Sequence, residues 1–464
     1  MPPTRIFLLN PRIDEFDEGF VRGKRRFWPP TSLAILASIL LDEGRTIELL
    51  DANALDVDDE DIHRRIARFR PDVVVYSSGP FDSWQCPSPG IEPIVQFARA
   101  AERWEGRPPL VVVGPHGTLL PDELMRAAHR VDFVVRGEPE RTTAQLVEKI
   151  VEGSDAPSVS GVSSRNATGE LVHAPDARLI DDLDALPNPA FRLLPLDRYC
   201  DGTAMGPRFF VTASSRGCAL QCSFCNKSMF GDRMRNRSAD GVVAELREAV
   251  LDHGVRRVLF HDQNFIASPR RVRELCDRLI EEDLPLTWRC QSTLFRPDAG
   301  LLERMAKAGC TEIHVGLESG SPEVLARLRK GGLAEFGRLV DEAERAGIRI
   351  LPNNLIGLPG DSLRTVMESM DFFHSHGFSF RPWVAIPYPG TALHRSAVRD
   401  GSLRPDTWDG VVPLAGRVDN DLDEAALRRI FRRARRHEAR ARLLRITPAA
   451  LARRLVPRAL RRTR

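Results

Sequence analysis

Short apolar runs alternate with amphipathic stretches over the first 150 residues. Arg5-Ile-Phe-Leu-Leu9, Thr46-Ile-Glu-Leu-Leu50, Asp72-Val-Val-Val-Tyr76, Leu110-Val-Val-Val113 and Val131-Asp-Phe-Val-Val135 have the length and composition of strands. Between them, Ser32 to Glu43, Asp61 to Phe69 and Ile94 to Trp104 carry apolar residues at helical spacing, with Gly44 as the stop of the first. This alternation predicts a parallel, doubly wound, Rossmann-like α/β sheet over residues 1–154, with ligands at the carboxyl ends of its strands. Those ends are Ser77-Ser-Gly79, Gly114-Pro-His-Gly-Thr118 and Gly137-Glu-Pro-Glu140, where small residues let backbone approach a bulky ligand.

Residues 155–207 are punctuated by turn signals. Gly161 to Gly169 has a hairpin pattern, and Leu186-Pro-Asn-Pro-Ala190 marks a connector. The strand–helix pattern then resumes for six rounds over residues 208–400. The expected strands are Phe209–Ala213, Arg257–His261, Thr287–Gln291, Glu312–Leu317, Arg349–Ile356 and Ser379–Ile386. Intervening helices include Ala239–Leu251, Arg270–Glu282 and Leu301–Ala308, with Gly254, Gly309 and Gly347 as stops. Six units predict a partial (β/α)6 barrel of the TIM type, with chemistry at the strand carboxyl ends. Residues 401–464 form a helical, basic C-terminal extension.

Composition adds limits. Hydrophobic residues make up 42% and charged residues 28% of 464 residues, as in a soluble globular enzyme. No apolar run reaches the ~18 residues that span a bilayer, and the N-terminus has no signal-peptide layout. A cytoplasmic, reducing location is expected. The net charge of +3 conceals an asymmetry: residues 424–464 hold 15 Arg, no Lys and 2 acidic residues, leaving residues 1–423 at −10. A nicotinamide fingerprint is absent, because Asn10-Pro11-Arg12 follows the first strand in place of a glycine-rich turn.

The densest chemistry lies in Ser215-Arg-Gly-Cys218-Ala-Leu-Gln-Cys222-Ser-Phe-Cys225. A C-x3-C-x2-C loop supplies three thiolates, one fewer than a 4Fe–4S cluster usually takes, so one iron stays open to a small ligand. A structural zinc site needs a second ligand pair, whereas Cys200, Cys276, Cys290 and Cys310 stand singly. Eight cysteines in this length also fall short of a disulfide scaffold.

The spacing, with Phe224 before the third cysteine, resembles the radical S-adenosylmethionine (SAM) superfamily. The resemblance implies that Cys218, Cys222 and Cys225 hold the cluster, that SAM chelates the open iron, and that Phe224 and Asn226 flank its adenine. Asp262, at the end of the second barrel strand, is suited to the SAM ammonium or to a helix-capping network. Arg289 and Gln291 share a strand face, and Arg289 suits either the SAM carboxylate or a structural ion pair. Gly316-Leu-Glu-Ser-Gly320 resembles the family's G-[LIV]-E-S-G element, which places Glu318 and Ser319 at the ribose or the substrate. Asn353 to Gly360 resembles the family's adenine-side element, with Gly357 and Gly360 admitting the nucleoside or forming an ordinary turn. Tyr388 in Pro387-Tyr-Pro-Gly-Thr391 is a candidate catalytic residue or a packing one.

The N-terminal half resembles the cobalamin-binding domain that precedes the radical SAM domain in one large subfamily. Trp28-Pro-Pro-Thr-Ser-Leu33, Asp51-Ala52, Gly114-Pro-His-Gly-Thr118 and Arg136-Gly-Glu138 carry this likeness. It implies that Ser77, Ser78, Gly79, Gly114, His116, Thr118, Gly137 and Glu138 bind cobalamin. A D-x-H-x-x-G motif is missing, which argues against histidine ligation from below. His116 is a cobalt ligand or, on the other reading, a turn histidine against backbone or corrin edge.

Together the resemblances imply an enzyme that cleaves SAM to a 5′-deoxyadenosyl radical and methylates an unactivated carbon of a small-molecule or lipid substrate through methylcobalamin. Its electron donor would be flavodoxin- or ferredoxin-like. The alternatives are cobalamin-assisted oxidation, cyclisation or rearrangement, and, outside catalysis, an Fe–S/cobalamin redox or light sensor. The basic tail, with Leu427, Ile430, Phe431, Leu443, Leu444, Leu451, Leu455 and Leu460 as an apolar stripe divided by Pro448 and Pro457, has three readings. It is a helix docked on the acidic body, a peripheral membrane contact, or a nucleic-acid contact; the last is disfavoured because aromatic residues are sparse. Cys222→Ala is expected to abolish cluster binding while leaving the N-terminal domain folded, as read by iron content and circular dichroism; normal SAM cleavage by this variant would contradict the assignment.

Overall fold

The computed structural model describes residues 3–12, 27–79, 86–154, 156–200, 208–298, 300–380, 382–412, 418 and 420–444, with side chains described up to residue 437. The chain divides into two compact units, Met1–Gly316 with Ala334–Leu351 and Ile386–Val412, and Leu317–Leu333 with Pro352–Ala385 and Pro413–Arg464.

The N-terminal sheet lies in the first unit. Strands β1 (Arg5–Asn10), β2 (Thr46–Asp51), β3 (Val73–Ser77), β4 (Leu110–Val113) and β5 (Phe133–Val135) are parallel, in the order β2-β1-β3-β4-β5. One face packs Phe7, Leu9, Val74, Tyr76 and Val112, and the other packs Ile6, Leu8, Val73, Val75, Val111 and Val113. Burial on both faces is why these strands are continuous apolar runs. The order reverses between β1 and β3, which places the ligand crevice at the carboxyl ends there. The expected hairpin forms as β6 (Val162–Arg165) and β7 (Leu171–His173), and it extends this sheet antiparallel beyond β5. After β4 the chain makes two short helices, Pro115–Leu119 and Pro121–Ala127, the first of them over the strand end read as a turn. Both carry proline in the first helical turn, where a missing N–H costs nothing.

The second sheet begins with β8 (Phe209–Thr212). The two-residue strands β9 (Ser215–Arg216) and β10 (Arg235–Asn236) form a separate antiparallel ribbon. The sheet continues through β11 (Arg257–Phe260), β12 (Thr287–Thr293), β13 (Cys310–Glu318), β14 (Arg349–Ile356) and β15 (Trp383–Val384), in the order β15-β14-β13-β12-β11-β8. This is the partial barrel the pattern predicted. Its sixth strand is two residues long against the expected Ser379–Ile386, because Pro382 and Pro387 bracket it and proline gives no N–H to a ladder. Thr31 Oγ1 donates to the Val211 carbonyl at 2.7 Å, and Trp28 packs edge-on against Phe209 and His261 at 5.9 Å, so the N-terminal segment is tied to the barrel.

In the second unit, the first part of the basic extension is the helix Glu424–Leu444. Ala426, Ile430, Phe431 and Ala434 are buried, and the helix packs on Leu363–Ser375. Arg433 pairs with Asp371, and the His437 ring stacks on His374 at 3.5 Å. Ile430 and Phe431, in the stripe read as docked on the body, as a membrane contact or as a nucleic-acid contact, are covered by protein. Leu451, Leu455, Leu460, Pro448 and Pro457 lie outside the described residues. Among the described residues no helix is long and apolar enough to cross a membrane.

Burial holds His374 down to about 4, with His437 and Arg433 adding to the effect and Asp371 opposing it. A histidine whose folded pKa lies below the ordinary 6.5 favours the neutral form, so its stabilisation is present above that value and is lost as pH falls toward 4. Hydrogen exchange of the Glu424–Leu444 helix should rise across this window, and His374→Gln should flatten the rise.

Candidate active site

The cysteine loop, residues 217–234, is closed at its neck by β9 and β10. Gly217 has φ +88, and a Cβ there would lie 2.1 Å from the Arg233 carbonyl oxygen, so only glycine passes the neck. Within the loop, Lys227 Nζ donates to the carbonyls of Cys218 at 3.3 Å and Leu220 at 3.0 Å, and the Cys225 amide donates to the Cys222 carbonyl at 3.2 Å. Cys218 is buried, Cys222 and Cys225 are half-buried, and none of the three is in a disulfide. Burial pushes Cys225 up to about 12, and Cys86, Cys222 and Cys218 add to it while Lys227 opposes. A thiol raised in this way needs added positive charge to ionise, and iron supplies it. No three His, Cys, Asp or Glu among the described residues converge on one metal ion. Thiols bound to three different irons have no such requirement, so the donor set fits a cluster. Phe224 is half-buried in the loop, and Asn226 is buried with its Oδ1 accepting from the Ser228 amide at 3.0 Å.

At the neck, Arg216 stands directly opposite Arg235. Like charges in that register repel, and both are buried. The compensation comes from the loop after β5. Glu138 accepts from Arg216 Nη1 at 3.0 Å, from Arg235 Nη1 at 2.7 Å and from the Ile180 amide at 2.7 Å. Glu140 accepts from Arg216 Nη2 at 2.7 Å and from the Ser32 hydroxyl at 2.9 Å. Arg235 also donates to the carbonyls of Ile180 and Phe230, and Arg216 lies over the Phe230 ring at 5.1 Å. Side-chain exposure is 5% or less for all four charged residues. Glu138, expected at cobalamin, thus has its carboxylate engaged at the cluster neck.

The remaining cobalamin-side residues converge. Ser77 Oγ donates to the Gly79 carbonyl at 2.7 Å. A Cβ on Gly114 would lie 2.7 Å from Ser78 Oγ. Thr118 Oγ1 donates to the Gly114 carbonyl at 2.8 Å and accepts from the Gly137 amide at 3.0 Å, joining the ends of β4 and β5. His116 is buried, and its Nε2 donates to the Ser88 carbonyl at 2.8 Å while its ring packs on Trp408 at 4.8 Å. Burial lowers it to about 4, so it is neutral. The bond to backbone accords with the reading of a turn histidine. Small residues and backbone edges at strand ends fit the broad face of a corrinoid.

Several barrel residues read as SAM contacts are engaged elsewhere. Asp262 is fully buried and accepts from the Ser214 hydroxyl at 2.8 Å and the Ser214 amide at 3.0 Å, bracing the segment that leads into Arg216. Arg289 lies 3.6 Å from Glu312 and over the Phe209 ring. Glu312 also takes His314 at 2.7 Å and Arg349; burial raises it, but these two partners hold it down to about 2. Gln291 Nε2 donates to His261 Nδ1 at 3.3 Å and pairs in register with His314, so a half-buried His–Gln–His row crosses three strands. Tyr388 is buried, with its hydroxyl donating to the Pro87 carbonyl at 2.9 Å, which is the packing alternative.

In the second unit, Glu318 ends β13 in the left-handed region at φ +72, a conformation unusual for a non-glycine residue. Its carboxylate takes Lys330 Nζ at 2.8 Å, and both side chains are 9% exposed. Ser319 Oγ meets Ser369 Oγ at 2.9 Å, and a Cβ on Gly320 would lie 2.8 Å from Ser369 Cα, so this turn is pressed onto the helix Leu363–Ser375. Gly357 has φ +83, and its carbonyl accepts from Asn420 at 3.3 Å. The turn closes with the Leu358 amide donating to Asp361 at 3.0 Å, and burial raises Asp361 to about 6. Gly360, at φ +87, packs against the Arg327 side chain.

Sequence reasoning missed Arg216, Arg235, Glu140 and Lys330 as functional supports. An arginine at each end of the cysteine loop was a visible signal; its glutamate partners were not.

A three-cysteine loop at the head of a parallel barrel, with a doubly wound domain before it, is the arrangement expected of a radical SAM enzyme with a cobalamin domain. Family models match for the radical SAM superfamily over residues 212–373 and for a B12 binding domain over residues 25–147. An uncharacterized methyltransferase of Pyrococcus horikoshii is 30% identical over 386 residues, 82% of this chain and 81% of that one. The anaerobic magnesium-protoporphyrin IX monomethyl ester cyclase of Rubrivivax gelatinosus is 27% identical over 79% of this chain and 66% of its own. Among solved structures, the radical SAM methyltransferase TsrM of Kitasatospora setae, with cobalamin and a [4Fe–4S] cluster bound, superposes with a TM-score of 0.68 at 20% identity over 87% of this chain and 76% of that one. The chain belongs to the radical SAM superfamily, in the part of it that carries an N-terminal B12-binding domain. Its cofactors are a 4Fe–4S cluster, SAM and cobalamin.

Lys330→Met removes the cation from a buried carboxylate, which typically destabilises by about 3 kcal/mol or more. Denaturant unfolding should register this loss, and adding Glu318→Gln should restore part of it.

Proposed function

We propose that this protein is a cobalamin-dependent radical SAM C-methyltransferase acting on an unactivated carbon of a small molecule. The observation that carries the reading is the buried Arg216/Arg235–Glu138/Glu140 network, which joins the cysteine loop directly to the carboxyl end of the B12-type sheet. A protein that used its two cofactors in separate reactions would have no need for this join.

When bound, the cluster with SAM supplies a 5′-deoxyadenosyl radical and cobalamin supplies a methyl group. The chain's own parts divide the remaining work. Cys218, Cys222 and Cys225 hold three irons. Asp262 fixes Ser214, and with it the approach to the loop. Lys330 keeps Glu318 in place at a strand end suited to ribose hydroxyls. The buried barrel walls limit competing hydrogen donors. The enzyme would work in a reducing cytoplasm with a flavodoxin- or ferredoxin-like electron donor. A peripheral membrane contact would fall to residues 438–464, since the apolar face before them is covered.

The similarity to the protoporphyrin ester cyclase supports a second reading, radical ring closure or oxidation without methyl transfer. Anaerobic reconstitution with cobalamin, SAM and a reductant separates the cases. S-adenosylhomocysteine and 5′-deoxyadenosine together are expected of the methyltransferase. 5′-Deoxyadenosine alone would favour the cyclase reading, and neither product would leave a non-catalytic sensor.

A further inference from the structure

The neck of the cysteine loop poses an electrostatic problem that this loop does not solve alone. Arg216 and Arg235 are paired in register at the point where the loop leaves and rejoins the barrel, and both are buried. Among the contacts described, their carboxylate partners are Glu138 and Glu140, more than 70 positions earlier in the chain. Glu138 and Glu140 are tied in turn to the strand-end turns of the N-terminal sheet. Glu138 follows Gly137, whose amide is held by Thr118, and Thr118 is held to Gly114, which packs on Ser78. Glu140 is tied to Ser32 at the start of the first helix. Hydrogen bonds, the Gly137–Glu138 peptide and the Gly114–Ser78 packing contact thus link the turns after β4 and β5 to the residue two places before Cys218.

We propose that this network makes the cobalamin site and the cluster site one cooperative unit: loading either cofactor tightens the binding of the other. Ordering the 114–118 and 137–140 turns around cobalamin fixes Glu138 and Glu140, which closes the neck and pre-forms the thiol loop. Seating the cluster closes the neck from its own side and fixes the same two glutamates. Because coupling between two binding sites is reciprocal, the factor is the same in both directions. The coupling concerns assembly and holds for any reaction the two cofactors perform.

The test uses the full-length wild-type chain. Cobalamin affinity is measured by corrinoid absorbance, once on iron-free protein and once on anaerobically reconstituted protein. Dissociation constants at least about fivefold tighter for the loaded protein are expected, in the range typical of coupled sites. In the reverse direction, cobalamin should slow iron release to a chelator. Equal affinities in the two wild-type states would overturn the proposal, and so would an iron-release rate indifferent to cobalamin. Glu138→Gln should bring the affinity ratio close to one while Glu138→Asp keeps part of it; a ratio unchanged in Glu138→Gln would show that the network is not the carrier. If Glu138→Gln fails to fold by circular dichroism, Glu140→Gln takes its place, and the wild-type measurements stand by themselves.

Discussion

Two buried arginines facing each other across a two-residue ribbon set the terms for the rest of this molecule. Buried like charges in register are untenable alone. Glu138 and Glu140 neutralise them with nearly complete hydrogen bonding, so the four residues together carry no net charge. This neutral group anchors the cysteine loop to the end of β5. Asp262 braces the same segment from the barrel side through Ser214, with Arg271 donating to Ser214 Oγ at 2.7 Å. The loop that must present three thiols is therefore held by its stem, while the thiols themselves remain available to metal.

The architecture was legible because its signals are local. Val-Val-Val-Tyr76 and Leu-Val-Val-Val113 are the runs a two-sided parallel sheet requires, and β3 and β4 fall on them within a residue. The cluster loop was legible for the same reason, since three cysteines and a glycine lie within nine residues. Pairings between distant residues were not legible. Nothing near Glu138 in sequence indicates Arg216, 78 positions away, and nothing near Glu318 singles out Lys330 among the other basic residues that follow it.

Residues with two readings have protein partners in this structure. Arg289 fits a carboxylate on SAM by charge, but Glu312 lies 3.6 Å away. Tyr388 fits a cavity wall by type, but its hydroxyl is bonded to Pro87. Asp262 fits an ammonium, but Ser214 occupies both its oxygens. A barrel of this kind needs charged and hydroxyl side chains to tie its strand ends together, and sequence patterns do not distinguish such ties from ligand contacts. The short helix Pro115–Leu119 differed for another reason: a Gly-Pro-His-Gly string reads as a turn, and only its packing between β4 and β5 draws it into a helical one.

The stem of the cysteine loop also bears on how such enzymes exchange parts over evolutionary time. A barrel transplanted onto a different partner domain would bring its two arginines along but lose the acids that quench them. Successful recombination would have to move the turn after β5 together with the thiol segment, or replace both basic residues at once. The natural seam for shuffling therefore does not run between the two folds; it lies outside the pair of turns that share this charge balance.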